Sequence, residues 1–338
     1  MSAPSHAPDQ VEGVDPAAEG WVAAERSLRQ IAWQRFRRDK VAMAGAVVVV
    51  LLIAMAVLAP LLTRLFGFPP NEFHQDLMDP LTGGALNDPA NPTSGIDPWG
   101  GMSGTHLLGL EPVTGRDMFS RIVYGAQISL LVAFGATVLC VFIGTVLGIV
   151  AGYFGGWVDT VISRAMDIFL AFPLLLFAIA LAGVIPDGAF GLQGNGLRVA
   201  LLIFIIGFFN WPYIGRIVRG QTLTLKEREF VEAARSLGAG SGHILFRELL
   251  PNLVTPILVY STLLIPTNII FEASLSFLGV GINPPTPSWG GMLSNSLDFY
   301  TTSPHYVIIP GLAIFITVLA FNLFGDGLRD AFDPRSSD

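Results

Sequence analysis

Six stretches of this sequence are each apolar over about the 20 residues that a helix needs to cross roughly 30 Å of hydrocarbon. No other feature constrains the fold as much. They are Val41–Leu62, Ile128–Ala151, Ala165–Ile185, Val199–Gly215, Val254–Val280 and Tyr306–Phe324. The fourth is short, held between Arg198 and Arg216, while the third carries Asp167 and the fifth Glu272. Strands that cross a membrane alternate apolar and polar residues over about ten positions. These runs are continuously apolar, so the expected fold is an all-α polytopic membrane protein with six transmembrane helices. The first run is not a removable signal sequence, because 40 residues precede it, it is too long, and no small-residue cleavage site follows.

Composition excludes several alternatives. Charged residues make up 13% of the chain, about half the roughly 25% of a soluble domain. A net charge of -7 provides no basic footprint for nucleic acid. The single cysteine, Cys140, lies in an apolar run, where it reads as a buried packing thiol rather than part of a disulfide or zinc site.

Lys and Arg near the span ends orient the chain. With a cytoplasmic amino terminus, fifteen of the 19 Lys and Arg residues fall inside, and Arg64, Arg116, Arg121 and Arg198 fall outside. Both termini are therefore expected on the cytoplasmic side. The predicted organisation is a tail at 1–40, disordered over 1–25, then a first helix at 41–62 and an extracytoplasmic segment at 63–127. A five-helix core follows at 128–328, enclosing a cytoplasmic loop at 217–252, with a tail at 329–338. From Leu65 to Gly115 the outer segment holds no Lys or Arg but holds Glu72, Asp76, Asp79, Asp88, Asp97 and Glu111. It reads either as a contact for a partner or as a solvated acidic surface.

The cytoplasmic loop has a definite pattern. Leu225–Leu237 reads as a helix with Phe230, Ala234 and Leu237 on one apolar stripe. Gly238 stands where a left-handed C-terminal cap is wanted. Ser241 then caps a second short helix, Gly242 to Leu250, which Pro251 stops. Glu232, Ala233 and Ala234 form a flat patch: two methyl groups permit close approach and one carboxylate offers a directed ion pair. The pattern alone fits a plain connector as well as a docking element.

Glu232-Ala233-Ala234, Gly238 and Leu249-Leu250-Pro251 together resemble the EAA loop of permease subunits in binding-protein-dependent ABC importers. The resemblance runs from about Arg35 to Arg335. His106-Leu-Leu-Gly109 and Gly115-Arg116-Asp117 resemble the C-type permease of dipeptide, oligopeptide and nickel importers, as do Gly152-Tyr-Phe-Gly-Gly-Trp-Val-Asp159 and Phe172-Pro173. So do Glu272-Ala-Ser-Leu-Ser-Phe-Leu-Gly279, Pro287-Ser-Trp-Gly-Gly291 and Gly325-Asp326-Gly327-Leu-Arg329. Leu110-Glu111-Pro112, Glu248 and an apparent insertion from about Asn71 to Gly104 depart from the family pattern.

The resemblance implies the type I ABC importer permease fold in a bacterial inner membrane. It also implies a heterodimer with a homologous second permease, two ABC ATPase subunits beneath, and an extracytoplasmic solute-binding protein above. Dipeptides or oligopeptides are the implied substrates, with nickel chelates, opines and oligosaccharides behind. The ATPase-docking surface would comprise Glu232, Ala233, Ala234, Arg235, Leu237, Gly238 and Pro251, with Glu232 making the charged contact and Gly238 the turn.

The chain contains no G-x-x-x-x-G-K-[ST] phosphate loop, so ATP and Mg belong to partner subunits. Gly238-Ala-Gly240-Ser-Gly242 lacks the spacing and the preceding strand of a dinucleotide loop. The 5 His residues are scattered, and no nucleophile–base constellation is legible, so neither cofactor, metal nor enzyme activity is expected of the chain. Asp167 lies three residues after Arg164 and reads as its structural partner. Glu272 shares a face with Asn268 and Ser276, a polar stripe that either lines the pathway or pins its helix to another. Gly144, Gly148, Gly152 and Gly156 recur every four residues and suit close helix packing. An ion-gradient-driven transporter or channel is the alternative reading, and the cytoplasmic loop argues against it.

Overall fold

The computed structural model describes residues 28–91, 93, 95–184, 188–189 and 191–332. The expected disordered tail at 1–25, Arg26, Ile185 and Arg335 lie outside these residues. The chain opens with α1 (Leu28–Arg38), within what the sequence presents as a tail. Ala32 and Phe36 bury against Ala42 and Ala331, which gives the helix a reason to form. Asp39 then caps α2 (Lys40–Val57), its carboxylate accepting the N–H groups of Val41 at 2.8 Å and Ala42 at 3.1 Å. The first predicted span is split at Leu58, where α3 (Ala59–Phe66) restarts with Pro60 in its first turn.

The excursion that follows holds a small antiparallel pair, β1 (Ala85–Leu86) and β2 (Ile96–Asp97). Asp117 accepts the Ser120 N–H at 2.9 Å and caps α4 (Met118–Phe154). This helix starts at Met118, not Ile128, so the outer segment is shorter than the sequence suggested. Met118, Ile122 and Ala126 extend its buried stripe, and Arg121 is accommodated beside a buried carboxylate. At 37 residues α4 is about 55 Å long, well beyond one hydrocarbon core.

Span three is the largest departure from a straight helix. α5 (Gly156–Ala171) and α6 (Leu174–Val184) meet at 79°. Pro173 offers no N–H and forces Phe172 into extended backbone, with φ -77° and ψ 127°, which breaks the helix there. A short pair of strands, β3 (Gly188–Ala189) and β4 (Leu192–Gln193), leads into α7 (Gly194–Leu225), which runs through Pro212 and well past both ends of the expected fourth span. Its continuation past Arg216 and Arg219 is supported by carboxylates on α5 that pair with both guanidinium groups.

α8 (Glu229–Ser236), α9 (Ser241–His243) and a wide π turn over Ile244–Leu249 lead to α10 (Leu250–Phe277). From Ser241 to Phe277 the chain is one continuous helical rod. α11 (Trp289–Ser296) and α12 (His305–Phe332) complete the chain. Among the described residues five helical segments are long and apolar enough to cross a membrane, and the bent α5–α6 pair makes a sixth.

α4 and α7 lie against each other along most of their length. A Cβ on Gly144 would stand 2.7 Å from the Trp211 carbonyl oxygen, one on Gly148 2.7 Å from that of Gly215, and one on Gly152 2.7 Å from Thr222 Cβ. Three of the four spaced glycines are thus required by backbone approach. Gly156 is not: it adopts φ +56° with open space around it and serves the turn between α4 and α5. Gly148→Ala should overpack this contact and destabilise the purified protein by about 1–3 kcal/mol. Gly196→Ala, with nothing within 4 Å of its added methyl, should leave the thermal midpoint in detergent unchanged.

Candidate functional site

At one end of the bundle α7 turns through residues 226–228 into α8. Lys226 Nζ donates to the Gly152 carbonyl at 3.0 Å, fixing the turn to the last residues of α4. α8 begins at Glu229, not Leu225, because Leu225 is still the end of α7. It ends as a Schellman motif: the Ala239 N–H donates to Ala234 O at 3.0 Å and the Gly238 N–H to Arg235 O at 2.9 Å. This closure requires the left-handed φ of +84° at Gly238.

The buried face of α8 differs from the expected stripe. Val231 is the fully buried residue, packed with Ile149, Val218, Ile244, Leu249 and Leu253. Ala234 is half-buried, Phe230 is exposed and Leu237 is 89% exposed. The seat on α4, α7 and α10 sets which face turns inward, and spacing within eight residues cannot show where that seat lies. Glu232, Ala233, Arg235 and Gly238 are exposed, and the Arg235 guanidinium lies over the Tyr153 ring at 5.6 Å. Phe246, 70% exposed, extends this surface from the wide turn.

Two further expectations fail here. Gly240, without a side-chain bond, stands at the start of α9 where Ser241 was expected to cap. Pro251 stops nothing: it sits in the first turn of α10, and the preceding π turn spaces the backbone so that the helix passes through.

Asp167 is held mainly by Arg216 of α7 at 2.7 Å, with Arg164 farther off at 3.6 Å. Asp159 pairs with Arg219 in the same way, so two ion pairs clamp α5 to α7 near the hairpin. The expected Arg164 partner is the weaker one, because the neighbouring helix presents a guanidinium at closer range.

Asn268, Glu272 and Ser276 are all buried. Asn268 Nδ2 donates to Thr137 Oγ1 on α4 at 2.9 Å, and its Oδ1 accepts from Asn210 on α7 at 3.2 Å, so one amide joins three helices. Ser276 Oγ donates to Glu272 Oε1 at 2.8 Å. Ser129 Oγ of α4 faces the other side of the Glu272 carboxylate.

The other end of the bundle is closed by a polar cluster that sequence reading did not assemble. Glu111 Oε2 accepts from Arg116 Nε at 2.5 Å and faces Arg121 Nε at 3.2 Å, while the Tyr306 hydroxyl of α12 donates to Glu111 Oε1. Arg121 Nη1 also donates to Pro70 O at 3.2 Å and Pro285 O at 3.1 Å. Beside them His106 Nδ1 meets Asp117 Oδ1 at 3.1 Å, and His305 Nε2 meets Leu110 O at 2.9 Å. All these side chains are buried. The available signal was a carboxylate, Glu111, between Gly109 and Gly115, with Arg116 directly after the second glycine; both glycines adopt positive φ.

The surrounding acidic residues are largely turn builders. Asp79 accepts from Leu81 N at 3.2 Å and Thr82 N at 3.1 Å, Asp88 from Ala90 N at 2.9 Å, and Asp97 from Trp99 N at 2.8 Å. The Thr82 hydroxyl, more than the backbone N–H groups, holds the Asp79 carboxyl below its ordinary pKa.

Six membrane crossings, a surface hairpin rooted in three of them and a buried clamp at the opposite end define a transport permease. The chain matches the family described as binding-protein-dependent transport system inner membrane component over residues 144–338, and it belongs to that family. Residues 27–84 match the N-terminal TM domain of oligopeptide transport permease C. A glutathione transport system permease protein of Pectobacterium atrosepticum is 42% identical over 303 residues, covering 90% of each chain. A dipeptide transport system permease protein of Alkalihalophilus pseudofirmus is 40% identical over 304 residues, covering 90% of this chain and 89% of that protein. The fold also resembles the methionine ABC transporter MetNI in an inward-facing conformation. That likeness has a TM-score of 0.51 at 18% identity, over 63% of this chain and 97% of the other.

Glu111→Ala should leave Arg116 and Arg121 buried without a counter-charge and cost about 3–5 kcal/mol in the folding of the detergent-solubilised protein. Asp167→Asn, at a half-exposed pair, should cost less than about 1 kcal/mol.

Proposed function

We propose that this chain forms half of the translocation pathway of an ATP-driven importer for dipeptides or oligopeptides, paired with a homologous permease as a heterodimer. In this reading two ABC ATPases sit beneath the hairpin, which lies on the cytoplasmic side with both termini, and an extracytoplasmic solute-binding protein delivers the substrate. The chain itself holds no cofactor or metal; ATP and Mg act in the partner subunits. The names of the relatives support the substrate class, and the charge bias of the sequence supports the orientation.

One observation carries the coupling role. Glu232, Ala233, Arg235 and Leu237 are exposed on a helix whose opposite face is buried among α4, α7 and α10. A body pressed against that exposed face moves three membrane helices with it. Glu232 supplies the directed charge, Ala233 and Ala234 the close approach, and Gly238 the closure that keeps α8 at its angle. Pro251 lies in the first turn of α10, just past the π turn of the rod, and acts there through shape rather than contact. Nucleotide does work through this surface only if it binds more tightly to one state of the assembly than to the other. Asn268 pins α10 to α4 and α7, Glu272 and Ser276 continue the same polar stripe along α10, and Asp167 pins α5 to α7.

Glu232→Lys reverses an exposed charge and should leave membrane insertion and thermal stability unchanged. In vesicles containing the full complex, it should abolish ATP-driven peptide uptake and uncouple or release the ATPase. Normal uptake by that variant refutes the docking role. Gly238→Val places a β-branched residue at φ +84°, costs about 1–2 kcal/mol locally, and should reduce uptake in the same assay.

A further inference from the structure

The break in span three opens a cavity of about 320 Å³, at the lower bound of small-molecule sites. Phe169 and Phe172 from the end of α5, Leu174 from α6, Phe209 from α7 and Phe271 from α10 form most of its wall. The rings brace one another edge to face, Phe169 against Phe209 at 5.4 Å and Phe172 against Phe209 at 6.5 Å. Asn210, held by Asn268 at 3.2 Å, adds a polar group to the wall. No lining side chain carries a charge.

The backbone shows what the mouth can face. The first internal bond of α6 runs from the Phe177 N–H to Pro173 O at 3.1 Å, so the N–H groups of Leu174, Leu175 and Leu176 precede it. At membrane depth such a break is tolerated only where it is buried in protein or lines a wet cavity, because lipid cannot satisfy the freed groups. Phe172 at the break is 51% exposed. The open side therefore looks onto water or a partner protein rather than acyl chains.

We propose that this cavity is a subsite for the apolar side chain, aromatic or branched, of the passing peptide. The inference rests on the reading of the chain as a peptide permease. The aromatic wall matches such a side chain in chemistry. A basic side chain would give up its hydration there with no carboxylate in return, so the subsite favours apolar over cationic cargo after the binding protein has released it.

The test uses the reconstituted complex at saturating loaded binding protein, where capture no longer discriminates, and compares turnover of phenylalanyl-phenylalanine with glycyl-glycine. Leu174→Trp and, separately, Leu170→Trp place an indole in the cavity from two different walls. Each is expected to slow the phenylalanine peptide about tenfold relative to glycyl-glycine, the lower end of what one apolar pocket contributes to discrimination. Glycyl-glycine turnover reports that the variant is folded and coupled. A turnover ratio unchanged in both variants, or a parallel loss of both peptides in both, overturns the subsite and leaves a structural hinge. If the unaltered complex imports neither peptide, the peptide reading fails and the subsite falls with it, an outcome distinct from an unchanged ratio.

Discussion

The contact between α4 and α7 is the constraint on which the rest of the architecture depends. Three glycines let the two backbones meet where any side chain would hold them apart. In hydrocarbon there is no water to expel from between helices, so van der Waals contact of this kind does much of the work of association. Once the two helices are joined, α5 is clamped along α7 by two ion pairs. Asn268 fastens α10 to both helices, and the hairpin takes its seat over their ends.

The two ends of the bundle are held by different physics. The hairpin is seated by apolar side chains around Val231, with polar groups left on its free face. The opposite end is locked by buried charge, where one carboxylate serves two guanidinium groups and a phenol. Charged clusters of this kind add little net stability compared with apolar packing, but they are expensive to break one partner at a time. Such a closure holds a fixed geometry. Carbonyl oxygens from Pro70 and Pro285 on Arg121 extend it to segments far apart in the chain.

What the sequence made legible follows from the range of each interaction. Five crossings and a bent pair that makes the sixth, the left-handed turn at Gly238 and three of the four spaced glycines rest on local pattern, and these are present among the described residues. Pro173 marks the place of the break in span three, but the 79° angle was not legible, because no local pattern shows how α6 packs against the neighbouring helices. The buried side of α8 was misread, since Val231 is selected by partners from three other helices. Arg216 as the partner of Asp167, and Tyr306 as that of Glu111, are separated from them by 49 and 195 positions. No periodicity spans such distances. Pro251 shows the converse failure: a strong local stop signal was overridden because a π turn made room for it.

The rod from Ser241 to Phe277 has a mechanical consequence. Its 37 residues make about 55 Å of helix that runs unbroken through the π turn and through Pro256 and Pro266. A thrust at the hairpin is thus carried along one rod to the level where Glu272 and Ser276 lie, and the transmission needs no relay of rearranging side chains along the way.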